Sequence, residues 1–191
     1  LYRFIRDAAA LRSANRVFSR GTPTILRDDP VGAGVLAYRM RTGDASALVI
    51  FNSADRETLL DNLATGLPPG TVLKGLFAID APATNLVVGN RGQVSLALPA
   101  RSGQVWAVTS EKVPVPAARQ SMSIDPPRSG GDNAILNLSG HAPGVTPLRL
   151  VVDGNIADAI TVSPDDTGRW RAAIATGTMI DPKQLHRVVA W

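Results

Sequence analysis

Two short runs, Val35-Leu36-Ala37-Tyr38-Arg39-Met40 and Ala47-Leu48-Val49-Ile50-Phe51-Asn52, stand on either side of Thr42-Gly43-Asp44. Apolar, β-branched and aromatic residues fill both runs, and the Gly and Asp between them supply the backbone freedom a chain reversal needs. The same pattern continues outward. Thr24 to Arg27 precedes the pair, and Thr71 to Ala78, Gln93 to Leu98 and Gln104 to Thr109 follow it. The punctuation is Asp28-Asp29-Pro30, Leu67-Pro68-Pro69-Gly70, Gly89-Asn90-Arg91-Gly92 and Arg101-Ser102-Gly103. Each supplies a positive or a fixed φ. Short strands at this spacing predict an antiparallel β-sandwich over residues 22–110. Arg56 to Leu60 reads as a turn of helix.

Ahead of the strands, Leu1, Phe4, Ile5, Ala8 and Leu11 fall at helical spacing, with Arg3, Arg6, Asp7 and Arg12 mostly off that stripe. This is an amphipathic helix over residues 1–21. It is expected to end at Gly21 in a left-handed cap, with Pro23 forbidding continuation. A helix of that length cannot bury its stripe alone, so it must pack on something.

After the strands, the Pro-containing polar stretch Ser110 to Gln120 reads as a linker, with boundaries at residues 111–122. A second β region, residues 123–191, has runs at Ala134 to Ser139, Leu148 to Val152, Ala159 to Val162, Arg169 to Ala175 and Arg187 to Trp191. Asp153-Gly154 and Asp165-Asp166-Thr167-Gly168 are expected to turn hairpins. About five strands in roughly 70 residues fall short of the seven of a complete immunoglobulin-like sandwich. A truncated module is therefore expected, with the partner of Arg187 to Trp191 beyond the last residue. The fold class is mainly β: an N-terminal amphipathic helix, an antiparallel β-sandwich and an incomplete immunoglobulin-like β-sandwich.

Composition narrows the function. The 191 residues carry 20 Lys+Arg against 16 Asp+Glu, a net charge of +4, spread along the chain with no block that would track phosphates. Nucleic acid is not an expected partner. With no Cys in the sequence, disulfides, thiol nucleophiles and Cys-ligated zinc are excluded. There is no apolar run of about 18 residues to span a bilayer, so no membrane partner is expected. Leu1-Tyr2 opens the chain without Met or a signal-like segment, which suggests a piece of something longer.

Leu1-Tyr2-Arg3-Phe4-Ile5-Arg6-Asp7 with Ala10-Leu11-Arg12, then Gly34-Val35-Leu36-Ala37-Tyr38-Arg39, resemble one region of glycoside hydrolase family 13, the α-amylases and their relatives. In that family the last barrel helix hands over to a C-terminal β domain. Ala47 to Ser53 is similar to the family's next strand, an apolar run ending in Asn and a small polar residue. Val94 to Gly103 with Val105-Trp106 is similar to the closing strands of the same domain. The resemblance covers about the first 109 residues and is structural. It implies a (β/α)8 barrel upstream as partner, holding the catalytic carboxylates about 5–5.5 Å apart in a retaining mechanism. No residue here matches the family's catalytic motifs, so no catalytic residue is assigned. The segments Ser139 to Gly144, Leu148 to Gly154 and Gly168-Arg169-Trp170 resemble bacterial immunoglobulin-like modules appended to secreted enzymes. An extracellular or periplasmic location is what that resemblance implies.

Trp106 and Trp170 are the candidate carbohydrate-binding residues, because a flat apolar ring complements the C–H face of a sugar. Against this stands a core role for each, as buried strand aromatics. Trp191 is expected to be exposed. His141 and His186 lie far apart with no Cys, so they read as surface or hydrogen-bonded residues, and no metal or other cofactor is expected. Asp165-Asp166 lacks the alternating ligands of a calcium loop. Gly130-Gly131-Asp132-Asn133 lacks the Lys-Ser/Thr and helix of a phosphate cradle. No Gly-x-Ser-x-Gly marks a serine nucleophile.

The expected function is that of a non-catalytic C-terminal fragment of an α-glucan-active glycoside hydrolase or transglycosylase. It would support the barrel and contact carbohydrate, with self-association through the uncovered helix. The alternatives are a tandem β-sandwich adhesion protein and a starch-binding module.

Overall fold

The first helix breaks earlier than its apolar stripe predicts. In the computed structural model, which describes residues 2–29, 32–79, 82–115, 122–126, 135–145, 147–175 and 186–191, α1 runs over Tyr2–Ala14 and α2 over Val17–Arg20. The break follows Asn15, whose backbone N–H and side-chain amide both donate to Leu11 O, at 3.1 and 2.9 Å. Gly21 follows α2 at φ −76° and ψ 152°, so the expected left-handed cap is replaced by extended backbone. Glycine is needed there for space. A Cβ would lie 2.2 Å from Val17 O, to which Gly21 N donates.

Eight strands follow within the unit Leu1–Ala117: β1 Thr22–Arg27, β2 Val35–Thr42, β3 Ala45–Asn52, β4 Thr58–Ala64, β5 Thr71–Ala78, β6 Leu86–Val87, β7 Gln93–Leu98 and β8 Ser102–Lys112. Six form one antiparallel sheet in the order β1-β2-β3-β8-β5-β6. The predicted central hairpin is β2–β3, in register from Val35↔Asn52 to Thr42↔Ala45. Opposite this sheet lies the antiparallel pair β4–β7. Between the two layers Leu48, Ile50, Leu60, Leu63, Leu73, Val94, Leu98 and Trp106 form the buried core. Burial of such side chains contributes about 1.5–3 kcal/mol each.

The turn of helix expected at Arg56 to Leu60 is instead the start of β4. Leu59, Leu60 and Leu63 sit at a helix-like spacing because a bulge interrupts the strand between Leu60 and Leu63, where Asn62 takes φ 52°. Ser95 Oγ accepts from the bulged Asn62 N at 2.8 Å.

The unit Ala118–Trp191 contains β9 Ser123–Ile124, β10 Ile135–His141, β11 Leu148–Val152, β12 Asn155–Val162, β13 Arg169–Ala175 and β14 Val188–Ala190. β10 lies between β13 and β9 in one sheet. β11 lies between β12 and β14 in another. Leu138, Ala142, Leu148, Leu150, Val152, Trp170 and Ile174 pack between them. Asp153 and Gly154, both at positive φ, turn the β11–β12 hairpin as predicted. Asp165 to Gly168 does not turn a hairpin: β12 and β13, which it joins, belong to different sheets. The segment Arg187 to Trp191 has its partner within the chain, since β14 pairs with β11 and Trp191 exchanges backbone bonds with Arg149 at 2.8 Å.

Candidate functional site

The six-stranded sheet is apolar on both faces. On the face turned away from the sandwich core, Ile25, Tyr38, Val49, Val105 and Phe77 form one row across β1, β2, β3, β8 and β5. Strand alternation puts them there because Leu26, Ala37, Leu48, Ile50 and Trp106 take the inner face. Burial pushes the Tyr38 hydroxyl's pKa above the ordinary phenol value. The helical segment covers part of this row. Val17 of α2 is buried, α2 packs on β2 and β3, and the rings of Phe4 and Phe77 meet edge to face at 5.5 Å.

α1 is covered only in part, chiefly through Phe4 against Phe77. Tyr2 is 79% exposed, Ile5 57% and Phe4 44%, and no residue of the helix is buried. Leu36, Phe51 and Ile25 are also exposed on the same side of the sheet. Three large apolar side chains on one short, solvent-facing helix are the pattern of a surface made to be covered.

The second feature lies at the end of β3. Asn52 is buried, and its amide donates to the carbonyls of Arg56, Leu98 and Pro99 at 2.9, 3.2 and 2.9 Å. Its Oδ1 accepts from Ala54 N at 3.1 Å. One side chain thus ties the turn after β3 to the turn after β7. Arg101 N donates to Ala54 O at 2.9 Å, and the Arg101 guanidinium pairs with the Asp55 carboxylate. The hydrogen bond from Arg101, with its charge, holds the Asp55 carboxyl below the ordinary carboxylate range. A wide, open depression of ≈ 870 Å³ lies here, lined by Phe51, Ser53, Asp55, Arg56, Ile79 and Arg101 among others.

The two tryptophans singled out for sugar stacking are both in cores. Trp106 is 1% exposed and its indole N donates to Thr84 O at 2.8 Å. Trp170 is 2% exposed. A stacking platform needs a ring face open to solvent, and neither indole has one. Phe51 is an aromatic ring that does line an opening, the one at the end of β3. Its place in an alternating strand gave the sequence reading no reason to separate it from the core residues beside it.

His141 Nε2 lies 2.9 Å from Thr167 O, and His186 Nδ1 lies 2.7 Å from Asp153 Oδ2. Among the described residues no group of three or more His, Cys, Asp or Glu side chains is placed to hold a metal ion. Gly130 to Asn133 lie outside the described residues. No helix among the described residues is long and apolar enough to cross a membrane.

Asp165 serves its own turn. Its Oδ1 accepts from Thr167 Oγ1 at 2.7 Å and from the backbone N–H groups of Thr167 and Arg169, each at 2.9 Å. The Thr167 hydroxyl, then the Arg169 N–H, lower its pKa. A depressed carboxylate contributes stability that is present above the unfolded-state value and is lost as pH falls through the folded one. Asp165→Asn is therefore expected to lower the melting temperature of this unit at neutral pH. The gap to wild type should close on acidification below the ordinary aspartate range. Thermal melts across pH check this, and a gap that persisted in acid would mean the charge plays no part.

No protein-family model matches the chain, and no curated protein does either. Solved structures do. The chain is similar to an α-amylase from Geobacillus thermoleovorans complexed with acarbose, with a TM-score of 0.50 and 16% identity over 58% of this chain and 23% of that one. An Anoxybacillus α-amylase follows at TM-score 0.47 and 14% identity, over 56% of this chain and 22% of its own. The trehalulose synthase MutB follows at 0.45 and 23%, over 56% and 18%. The first of these shows the fold: a mainly β unit that has a counterpart within the α-amylase structure. This chain spans less than a quarter of the length of each of the three.

Proposed function

We propose that this chain is the C-terminal, non-catalytic part of an α-glucan-active glycoside hydrolase or transglycosylase of the α-amylase family. Residues 1–21 are the last helix of a (β/α)8 barrel, 22–110 its C-terminal β domain, 111–122 a linker and 123–191 an appended immunoglobulin-like module. The observation that carries this is the exposed pair Tyr2 and Ile5, with Phe4 half-covered, on a helix that has no fully buried residue. The likeness of fold to the α-amylase supports it. The β domain's work is then mechanical: it holds the helix in place through Phe4 against Phe77 and Val17 on β2 and β3, and closes that side of the barrel. Bond cleavage or transfer belongs to carboxylates on the barrel.

The coding sequence immediately upstream of Leu1 tests the proposal. A barrel with paired carboxylates at its strand ends is expected there. A signal peptide directly adjoining Leu1 would instead favour the adhesion reading.

The isolated chain gives a second expectation. An uncovered stripe drives self-association, so light scattering should show a mass that rises with concentration. Tyr2→Ser with Ile5→Ser should return it to monomer while shifting the urea midpoint little, because these side chains are largely exposed and Phe4 keeps its place on Phe77. A wild-type chain that stayed monomeric at high concentration would count against the stripe.

A further inference from the structure

We infer that the helical segment α1–α2 docks by electrostatic attraction on an acidic protein surface, which the function proposed above, on which this assignment rests, makes the flank of the upstream barrel. The first observation is where the charge lies. Basic residues run the length of the chain, but their acidic counterparts are nearly missing from its start. Residues 1–21 hold five of the 20 basic residues, all Arg, and one of the 16 acidic ones, Asp7. The remainder holds 15 of each sign, so the whole net charge of +4 belongs to this segment. Arg6 pairs with Asp7 at 2.9 Å. Arg3, Arg12, Arg16 and Arg20 are exposed and make no ion pair among the described residues.

The second observation is that the helices themselves do not call for this pattern. A helix favours acidic side chains in its first turn and basic ones in its last. Arg12 and Arg20, in the last turns of α1 and α2, fit that rule. Arg3 does not: it stands in the first turn of α1, which holds no acidic residue. Nor does Arg16, the N-cap of α2, where Ser, Thr, Asp or Asn is favoured and no side-chain capping bond forms. Two of the four free charges therefore oppose the helices that carry them, and answer to something outside.

The third is the ridge beside these charges. Phe4 meets Phe77 of β5, and Ala8 and Leu11, at helical spacing from it, are half-buried on the same side. Steps of three and four residues place Tyr2, Ile5, Ala9 and Arg12 on a separate ridge, all exposed. An apolar ridge that runs into unpaired guanidinium groups fits an apolar patch bordered by carboxylates, which take guanidinium in a planar, two-bond geometry. A bilayer fits less well, because a helix lying in the lipid interface gives its broad apolar face to lipid, and here that face is turned to the sheet. A second copy would set four unpaired positive charges against four.

Arg3→Gln with Arg16→Gln, made in this chain and in the polypeptide that includes the residues ahead of Leu1, tests the assignment through amide hydrogen exchange of residues 2–20. In this chain alone the variant should exchange no faster than wild type, since it removes like charges from two positions that disfavour them. In the longer polypeptide it should lose protection by about tenfold or more at about 0.1 M salt. That gap should close towards 1 M, over which the screening length falls from about 10 to 3 Å. An equal loss in both polypeptides, or a loss in the longer one that ignored salt, would overturn the assignment. So would binding of the longer polypeptide to phosphatidylglycerol vesicles that the variant abolished, which would make the partner a lipid surface. Self-association of this chain alone should strengthen with salt, and one that weakened would mean that a second copy supplies the acid. A barrel whose hold on the segment ignored salt would leave the proposed function standing and remove the acidic surface alone. An upstream sequence without a barrel would remove that function and this partner with it.

Discussion

Trp106→Ala is expected to destabilise the first unit by about 3–5 kcal/mol, the range for deleting a fully buried large aromatic. Trp106 sits among Leu48, Ile50, Leu73 and Leu98, with no exposed face to relax into solvent. Trp106→Phe keeps most of the volume but abandons the bond to Thr84 O, for a cost of about 1–2 kcal/mol. Trp170 offers the contrast. Its indole N is buried and has no hydrogen-bond partner, so Trp170→Phe removes an unpaired N–H along with the volume. The two effects oppose each other, and the net cost should be smaller than that of Trp106→Phe. Urea titration followed by far-UV circular dichroism measures these costs, with tryptophan fluorescence reporting the second unit by itself in the Trp106 variants, because Trp106 is the only tryptophan of the first and Trp170 and Trp191 belong to the second. Equal costs for the two Phe variants would mean that the Thr84 bond contributes nothing.

Asn52→Ala is expected to cost about 3 kcal/mol, although the residue is polar and stands at a strand end. Removal of the amide strips three carbonyls and the Ala54 N–H of a partner in a place where Asn52 itself is 1% exposed. Asn52→Asp is the more severe test. A carboxylate in the same position would face three carbonyl oxygens with no donor to give them, and would bury an unpaired charge. Its cost should exceed that of Asn52→Ala at neutral pH and shrink in acid, where the protonated group regains one donor. Urea midpoints for both variants at neutral and acidic pH measure this. A destabilisation that did not depend on pH would show that the side chain's shape, and not its donors, holds the turns.

Much of the β architecture was legible because period-two alternation and turn chemistry act locally. The hairpin Val35–Asn52 and the turn at Asp153-Gly154 were read from a few residues each, and each formed as read. β4 was missed because its bulge at Asn62 shifts Leu63 out of alternation with Leu60, and a bulge is set by the partner strand. The break at Asn15 leaves no mark on the apolar stripe, because what distinguishes it is a second, side-chain bond from Asn15 to the Leu11 carbonyl. Asp165 to Gly168 has the composition of a hairpin turn, but composition does not say whether the next strand stays in the same sheet.

The candidate site was the least legible part. Trp106 and Trp170 stood out because aromatic rings are the chemical signature of sugar contact, yet the rings' burial depends on strands remote in sequence. Phe51 gained its place from Gly103, Asp55 from Arg101 and Asn52 from Pro99, pairs about fifty residues apart that only β3–β8 registration brings together.

By itself the sequence determined the local alphabet of this protein: where strands run, where glycine and proline reverse them, and that the first helix has an apolar side. Those properties follow from backbone sterics and side-chain pattern within a few residues. Only the tertiary structure decided which apolar side chains are covered. Packing closed over both tryptophans and left Tyr2, Phe4, Ile5 and Phe51 in solvent, because burial is fixed by what lies across the sheet and not by what lies next along the chain.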